Sequence, residues 1–208
     1  MAFKAFIQPF GMPISTNKSI FYSSIENQIE LLKAIKMQMK NNTGNEYIGS
    51  EKGKRAFSVD IARSNFLTPL QEYAASIDQD NLEEIYKGSQ QTRFNHLIEI
   101  HNNLGVYLPV FNFFPLHIAI KNTVLPIFVG SSQKLYSEIQ EIKQMLKPQE
   151  QVKLEIAGES FQAGDEDLED FEANYEGVRH FWPIYTCLIM ENLIKKSLEQ
   201  KLPIFILS

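Results

Sequence analysis

The sequence predicts an α+β protein: a small mixed sheet covered by helices, with a largely helical N-terminal half. Three observations lead there. Apolar residues recur at helical spacing through most of the chain up to Asn103. After Val106 the texture changes to short proline-led apolar runs, Leu108-Pro109-Val110-Phe111, Leu125-Pro126-Ile127-Phe128 and Leu202-Pro203-Ile204-Phe205. Two more stretches of helical spacing lie between the second and third of these runs. With 208 residues, 44% hydrophobic and 22% charged, the chain can bury a core without a metal or crosslink. A single domain over residues 1–208 is expected, because no linker-like segment divides the halves.

Met1 to Phe10 carries one lysine, and Gln8 and Pro9 interrupt its apolar residues, so no signal peptide is expected. Ser19 to Lys40 places Ile20, Ile25, Ile29, Leu32, Ile35 and Met39 at spacings that predict an amphipathic helix. Asn41 to Arg55, rich in Gly, Asn and basic residues, reads as an exposed loop. Thr68-Pro69-Leu70-Gln71 supplies an N-cap hydroxyl and a proline at the first helical position, so a helix starts there. Asp80 to Asn103 reads as one further helix, with Leu82, Ile85, Tyr86, Leu97, Ile100 and Leu104 inward and Gly105 as its stop.

Proline has no amide proton to give a ladder, so each proline-led run is expected to be a strand opening at its proline. Apolar residues on both sides of the alternation suit strands buried on two faces. Ser131 to Leu146 predicts a helix through Leu135, Ile139, Ile142 and Leu146, closed by Pro148. Val152 to Ile156 alternates like a strand. Val178 to Leu198 predicts the final helix, with Pro183 near its first turn, and the chain ends in a strand.

Cys187 is the only cysteine, so no intrachain disulfide can form and no thiolate pair can seed a zinc site, which fits a reducing, cytoplasmic setting. No run approaches the ~20 apolar residues that span a bilayer, and no membrane association is expected. His96 and His101 stand five apart, about 140° around a helix, too far to share a metal, and Glu99 does not complete a set. Asp165, Asp167, Glu169 and Glu176 match positions 1, 3, 5 and 12 of a calcium loop, yet Asp170 stands where the turn needs glycine. Gly49 to Arg55 has the wrong spacing for a phosphate loop. Neither a metal nor a cofactor is expected. His180, four residues after Glu176, reads as a helix-start ion pair.

Gly130-Ser131-Ser132 sits where a strand turns into a helix, a place where free amides can hold an anion. Ser131 and Ser132 are therefore candidate ligand contacts, although no nucleophile elbow surrounds them and helix capping is the preferred explanation, with a role in stability rather than chemistry. Tyr107, Phe111, Phe113, Phe114 and His117 crowd the preceding strand region and could line a pocket near this turn. The alternative function is thus a small-molecule enzyme or ligand-binding protein with its pocket there.

Val129-Gly130-Ser131-Ser132-Gln133-Lys134-Leu135, with Glu138 and Ile139 behind it, resembles the strand-to-helix step of a group of small uncharacterised bacterial proteins of immunity-protein type. The final helix running into Leu202-Pro203-Ile204-Phe205 is similar to their close. The resemblance implies a non-enzymatic protein that binds another protein, and it implies no catalytic residue.

Charge supplies the principal functional expectation. The formal net charge is −5, from 25 acidic and 20 basic residues. Leu154 to Val178 holds nine of the acids and no Lys or Arg, so the remainder of the chain is net positive. Seven carboxylates fall between Asp165 and Glu176, and they cannot be buried without counter-charges. This window is expected to be an exposed loop whose Asp165, Asp167, Glu169, Asp170 and Glu172 engage a protein partner with a basic surface. Nucleic acid is not an expected partner, because the basic residues are scattered and the window would repel phosphate.

Overall fold

The last strand shows why the sheet is covered on both sides. Ile204 and Ile206 enter one hydrophobic cluster and Phe205 and Leu207 the other, and all four are buried. The computed structural model describes residues 3–12, 14, 24–43, 57–61, 65–100, 104–110, 113–121, 126–147, 162–163 and 179–207. Its elements run β1 (Phe3–Ile7), α1 (Ile25–Thr43), β2 (Phe57–Ile61), α2 (Thr68–Ile77), α3 (Leu82–Tyr86), α4 (Asn95–Ile98), β3 (Leu104–Leu108), β4 (Leu116–Ile118), β5 (Ile127–Ser131), α5 (Ser132–Leu146), β6 (Gln162–Ala163), α6 (Phe181–Gln200) and β7 (Ile204–Leu207). Among the described residues the strands form one sheet in the order β4-β5-β3-β7-β1-β2-β6. It is mixed: β3 with β5 and β2 with β6 are parallel, and the other neighbours are antiparallel.

The predicted α+β class is the observed one. Helices α2 to α6 pack on one face of the sheet through a cluster that includes Leu70, Ile85, Leu97, Ile139 and Leu193. Helix α1 covers the other face with Leu31, Leu32, Ile35 and Met39. The N-terminal half is helical as expected but also supplies β1 and β2, and β1 lies between β2 and β7. Phe3, Ala5 and Ile7 of β1 face one cluster and Phe6 the other, an alternation too short and too apolar to stand out beside the helices that follow.

Several boundaries differ from expectation. Helix α1 begins after Ser24, whose Oγ accepts the Asn27 N–H at 3.2 Å. Ile25 and Ile29 are exposed rather than buried. The helix phase is set by the Leu31, Leu32, Ile35 and Met39 ridge together with buried Gln28, which donates to the Met12 carbonyl and accepts from the Gly11 N–H. Thr68 is the first helical residue rather than the cap, and Leu67 occupies the cap without a side-chain bond.

The single helix expected over Asp80 to Asn103 is two short helices, α3 and α4. Gly88, at φ +74°, ends the first turn system with its N–H on the Ile85 carbonyl, a left-handed position that stops helix propagation. Leu104 and Gly105, read as the end of that helix, open β3. The first proline-led run is corrected in the same region: the strand stops at Leu108, and Pro109 and Val110 lie beyond it. The other two runs do begin strands just after Pro126 and Pro203. Ser19 to Ser23, most of the Asn41 to Arg55 loop and the Val152 to Ile156 strand fall outside the described residues.

Helices α5 and α6 pack side by side and carry a buried ion-pair group. Glu191 of α6 accepts from Gln140 and Lys143 of α5 and from Lys195 of its own helix. Burial pushes its carboxyl up, and these donors outweigh burial and hold it below its ordinary value. Gly130 sets the spacing between β3 and β5. A Cβ built there would stand 2.7 Å from the Tyr107 ring and 2.8 Å from Phe128, so only glycine lets Tyr107 lie across its neighbour in the parallel pair. Gly130→Ala is expected to cost about 1–3 kcal/mol of unfolding free energy, measured by urea denaturation with an unchanged m-value.

Candidate functional site

The turn from β5 into α5 organises the most polar part of the core. Ser131 is fully buried at the N-cap of α5; its Oγ accepts the Lys134 N–H at 3.2 Å and donates to the Val110 carbonyl at 2.7 Å. Its backbone N–H donates to Nδ1 of His96 at 3.0 Å. Because Nδ1 is an acceptor, the imidazole proton sits on Nε2, which donates to the Phe113 carbonyl. Burial lowers the His96 pKa to about 4, so the ring is neutral.

Glu138, two turns further along α5, reaches back to α4. Its two carboxylate oxygens accept the backbone N–H groups of His96 and Leu97 at 3.1 and 2.9 Å. The His96 N–H is an orphan donor of the α4 N-terminus, where the cap residue Phe94 has no side-chain acceptor, and the Leu97 N–H is shared with the Phe94 carbonyl at 3.2 Å. Burial raises the Glu138 pKa to about 8 against the pull of those two bonds. Tyr107 completes the group by donating its hydroxyl to the His96 carbonyl at 2.6 Å.

Two hollows adjoin this network. One of about 470 Å³ is lined by Arg93, His96, Phe113, Lys134 and Glu138, among others. The second, about 570 Å³, is lined by Tyr86, Thr92, Glu99 and His117 among others, and the two share Asn95 and Phe114. Phe114 is 83% exposed, so the aromatic segment is divided: Tyr107 and Phe113 are core, and Phe114 is a projecting rim. Phe111 lies outside the described residues.

The expected pocket region therefore contains titratable groups displaced in opposite directions, the pattern that acid–base sites share. Their bonding assigns them a different task. Both His96 nitrogens and both Glu138 oxygens are engaged by backbone groups, and the Ser131 hydroxyl proton goes to Val110 rather than to a base. Ser132 contacts Ser197 Oγ at 3.2 Å, and since Ser197 donates to the Leu202 carbonyl, Ser132 is the donor of that pair. Both hydroxyls that the sequence singled out are buried and bonded inside the protein, and neither serine lines the two hollows.

The other candidates scatter. His117 Nε2 stands 3.3 Å from Glu99 at the surface. His180 is at the N-cap of α6, edge-on to Tyr73, and Glu176 lies outside the described residues, as does His101. Cys187 is buried beside the Ile139 carbonyl, and burial pushes its thiol up to about 12. Among the described residues no three His, Cys, Asp or Glu side chains could hold a metal, and no helix is long and apolar enough to cross a membrane. Asp165, Asp167, Glu169, Asp170 and Glu172, with the partial calcium pattern, lie outside the described residues. Described residues stand on either side: α5 ends at Leu146, β6 is the edge strand and pairs with β2 at Gln162 and Ala163, and α6 begins at Phe181. His96 and Glu138 were the functionally suggestive pair that sequence reasoning missed. They are 42 positions apart, and the sequence offers His96 only beside His101 and Glu138 only beside the Gly130 to Ser132 turn, never the two together.

The pH dependence of stability follows from this pair. Glu138 keeps its proton up to about pH 8 when folded, against an ordinary value of 4.5, so its contribution is present at low pH and is lost as pH rises through 8. His96 runs oppositely: with its folded value lowered from 6.5 to about 4, its contribution is lost as pH falls through that interval. Between about pH 6.5 and 8 only Glu138 acts, so unfolding free energy should fall with rising pH by up to about 1.4 kcal/mol per unit. Glu138→Gln should flatten that slope in denaturation curves. Ser131→Ala should cost at least the ~0.5–2 kcal/mol of a lost N-cap, because it also strips the half-buried Val110 carbonyl of its donor.

Comparison with known proteins returns one finding. No curated protein and no solved structure matches the chain. Residues 55–206, more than half of the chain and everything from β2 to the middle of β7, match the family described as "Putative DNA-mimic protein". The chain belongs to that family.

Proposed function

We propose that this protein is a non-enzymatic binder that presents the acidic window Leu154 to Val178 as a surrogate for the phosphate backbone of DNA, to a protein whose own surface is basic. The observation that carries the reading is the charge segregation itself: nine carboxylates and no Lys or Arg within that window. Membership of the DNA-mimic family supports it. The framework supports it from the other side, because many of its carboxylates are internally neutralised. Asp60 pairs with Lys4, Asp78 and Glu141 share Arg93, Glu83 and Glu84 share Lys87, and Glu191 holds Lys143 and Lys195.

Density makes the imitation physically reasonable. Twelve residues span at most ~43 Å even when fully extended. The seven carboxylates from Asp165 to Glu176, with six intervals between them, therefore average no more than roughly 7 Å apart along the chain, about twice the ~3.4 Å axial charge spacing of one DNA strand. A cationic groove built for phosphates gains the same long-range attraction from such a segment, and the contact inherits the steep salt dependence of DNA binding. The reading retains the expectation of a basic protein partner and gives that partner a trade: it is itself a DNA-binding protein. A secreted toxin that acts on nucleic acid is one partner with that chemistry, and it would fit an immunity-type role.

The test uses the full chain as bait in its native lysate. Proteins retained by the wild type should be released by added duplex DNA and by moderate salt. They should be lost when Asp165→Asn, Asp167→Asn, Glu169→Gln and Asp170→Asn are combined, with the melting temperature unchanged. Retained proteins that duplex DNA fails to displace, or that bind the neutralised chain equally, would contradict the proposal.

A further inference from the structure

Helices α4 and α5, which frame the buried network, also wall the hollow of about 470 Å³, and Phe113 and Phe114 close its remaining side. A space of that size falls within the ~300–1,000 Å³ of small-molecule sites. Its charges are unevenly committed. Arg93 is held by Asp78 at 2.8 Å and Glu141 at 3.0 Å. Lys134 is exposed and makes no ion pair among the described residues, and the Asn95 side chain makes no hydrogen bond among them. Glu138 stands one turn beyond Lys134 on the same face of α5. Both of its bonds to the chain are accepted from backbone N–H groups. Burial, aided by the charge of Glu99, keeps a proton on it up to about pH 8 against those bonds and the pull of Lys134, so below that pH it is a donor as well. The other groups around it are neutral His96, the Tyr107 hydroxyl, Arg93 and Glu141. The apolar side of the hollow is aromatic: Phe113 is buried edge-on to His96 at 6.2 Å between ring centres, and Phe114 stands in water at the rim.

We propose that this hollow binds a small aromatic monocarboxylate, with the carboxylate between Lys134 and the Glu138 carboxyl and the ring against Phe113 and Phe114. One uncommitted cation calls for one negative charge. A dianion would leave its second charge facing Glu141, with no further uncommitted cation among the described residues that line the hollow. The protonated Glu138 carboxyl donates to one carboxylate oxygen and Lys134 to the other, an arrangement of charge-assisted bonds in a site half shut off from water. A flat ring removes apolar area of Phe114 from solvent and meets Phe113 in the offset or edge-on geometry that aromatic pairs favour. Asn95 can donate or accept, so it suits a ring that carries an N–H or a hydroxyl. The ligand is a small molecule and leaves the protein partner to the acidic window, on whose role the inference does not rest.

Indole-3-carboxylate is the probe, titrated into the full nitrogen-15-labelled chain and followed by amide NMR shifts. It should saturate with a Kd below about 1 mM and move the signals of Asn95, Phe113, Phe114 and Lys134. Indole-3-carboxamide, of the same shape without the charge, should bind at least about tenfold more weakly. Lys134→Ala should weaken the carboxylate at least about tenfold and leave the amide unchanged, and it leaves the helix cap intact because only the backbone N–H of Lys134 serves it. By isothermal titration calorimetry, affinity for the carboxylate should fall above about pH 8 by up to about tenfold per unit, as Glu138 loses its proton and repels the ligand. Glu138→Gln should remove that dependence. Should that variant not fold, the comparison of acid with amide across pH in the wild-type chain decides the same point. An absence of shifts up to about 5 mM probe, shifts centred elsewhere, equal binding of acid and amide, unchanged affinity in Lys134→Ala, or a flat profile from about pH 7 to about 9.5 would overturn the proposal.

Discussion

The carboxylate of Glu138 is the interaction on which the helical face depends. It reaches from α5 to the N–H groups of His96 and Leu97 and so caps a four-residue helix that could not hold itself. His96, fixed in turn, takes the Ser131 N–H and the Phe113 carbonyl, and its own carbonyl takes the Tyr107 hydroxyl. Five segments meet through three side chains in a place where an unpaired polar group costs ~1–3 kcal/mol. Gly130 permits the arrangement by letting Tyr107 pass over β5 without collision. A network of this kind specifies one packing of α4, α5, β3 and β5, because any shift strands several buried donors at once.

That network brings a buried acid, a buried imidazole and a buried serine into a small volume, with their hydrogen bonds directed to backbone groups. Catalysis needs a base with a free lone pair facing a reactive proton. Here the lone pairs face backbone amides. Perturbed protonation equilibria at His96 and Glu138 reflect burial first, and at Glu138 the two capping bonds pull against it.

Long periodic segments were legible in the sequence, and local interruptions were not. Helices α5 and α6 and the strands after Pro126 and Pro203 lie where spacing and proline placed them, because their apolar residues recur without competition from other signals. The break at Gly88 was outweighed, although Gly88-Ser89 is a weak point in the sequence, by Leu82, Ile85, Leu97 and Ile100, which keep an apparently helical rhythm across two short helices. The phase of α1 was misjudged because Gln28, a polar residue, is buried where the exposed Ile25 and Ile29 seemed the better core. Ser131 was readable as a cap from its position alone. Glu138 and His96 were not, since their meeting is a tertiary event between residues far apart in the chain. The charge window was legible for the opposite reason: nine acids without a base is a property of composition and needs no fold to be seen.

A polar network closed on itself and a framework whose ion pairs neutralise one another leave the acidic window as the densest unbalanced charge in the chain. The central claim is that the protein partner is recognised there and not at the hollows beside Phe114. Hydrogen exchange read by mass spectrometry, on the chain alone and with its DNA-displaceable partner bound, separates the two most directly. The account predicts new protection across Asp165 to Glu176 with Asn95 and Phe113 to His117 unchanged. Protection confined to Asn95 and the Phe113 to His117 rim, with the acidic window exchanging as before, would contradict it.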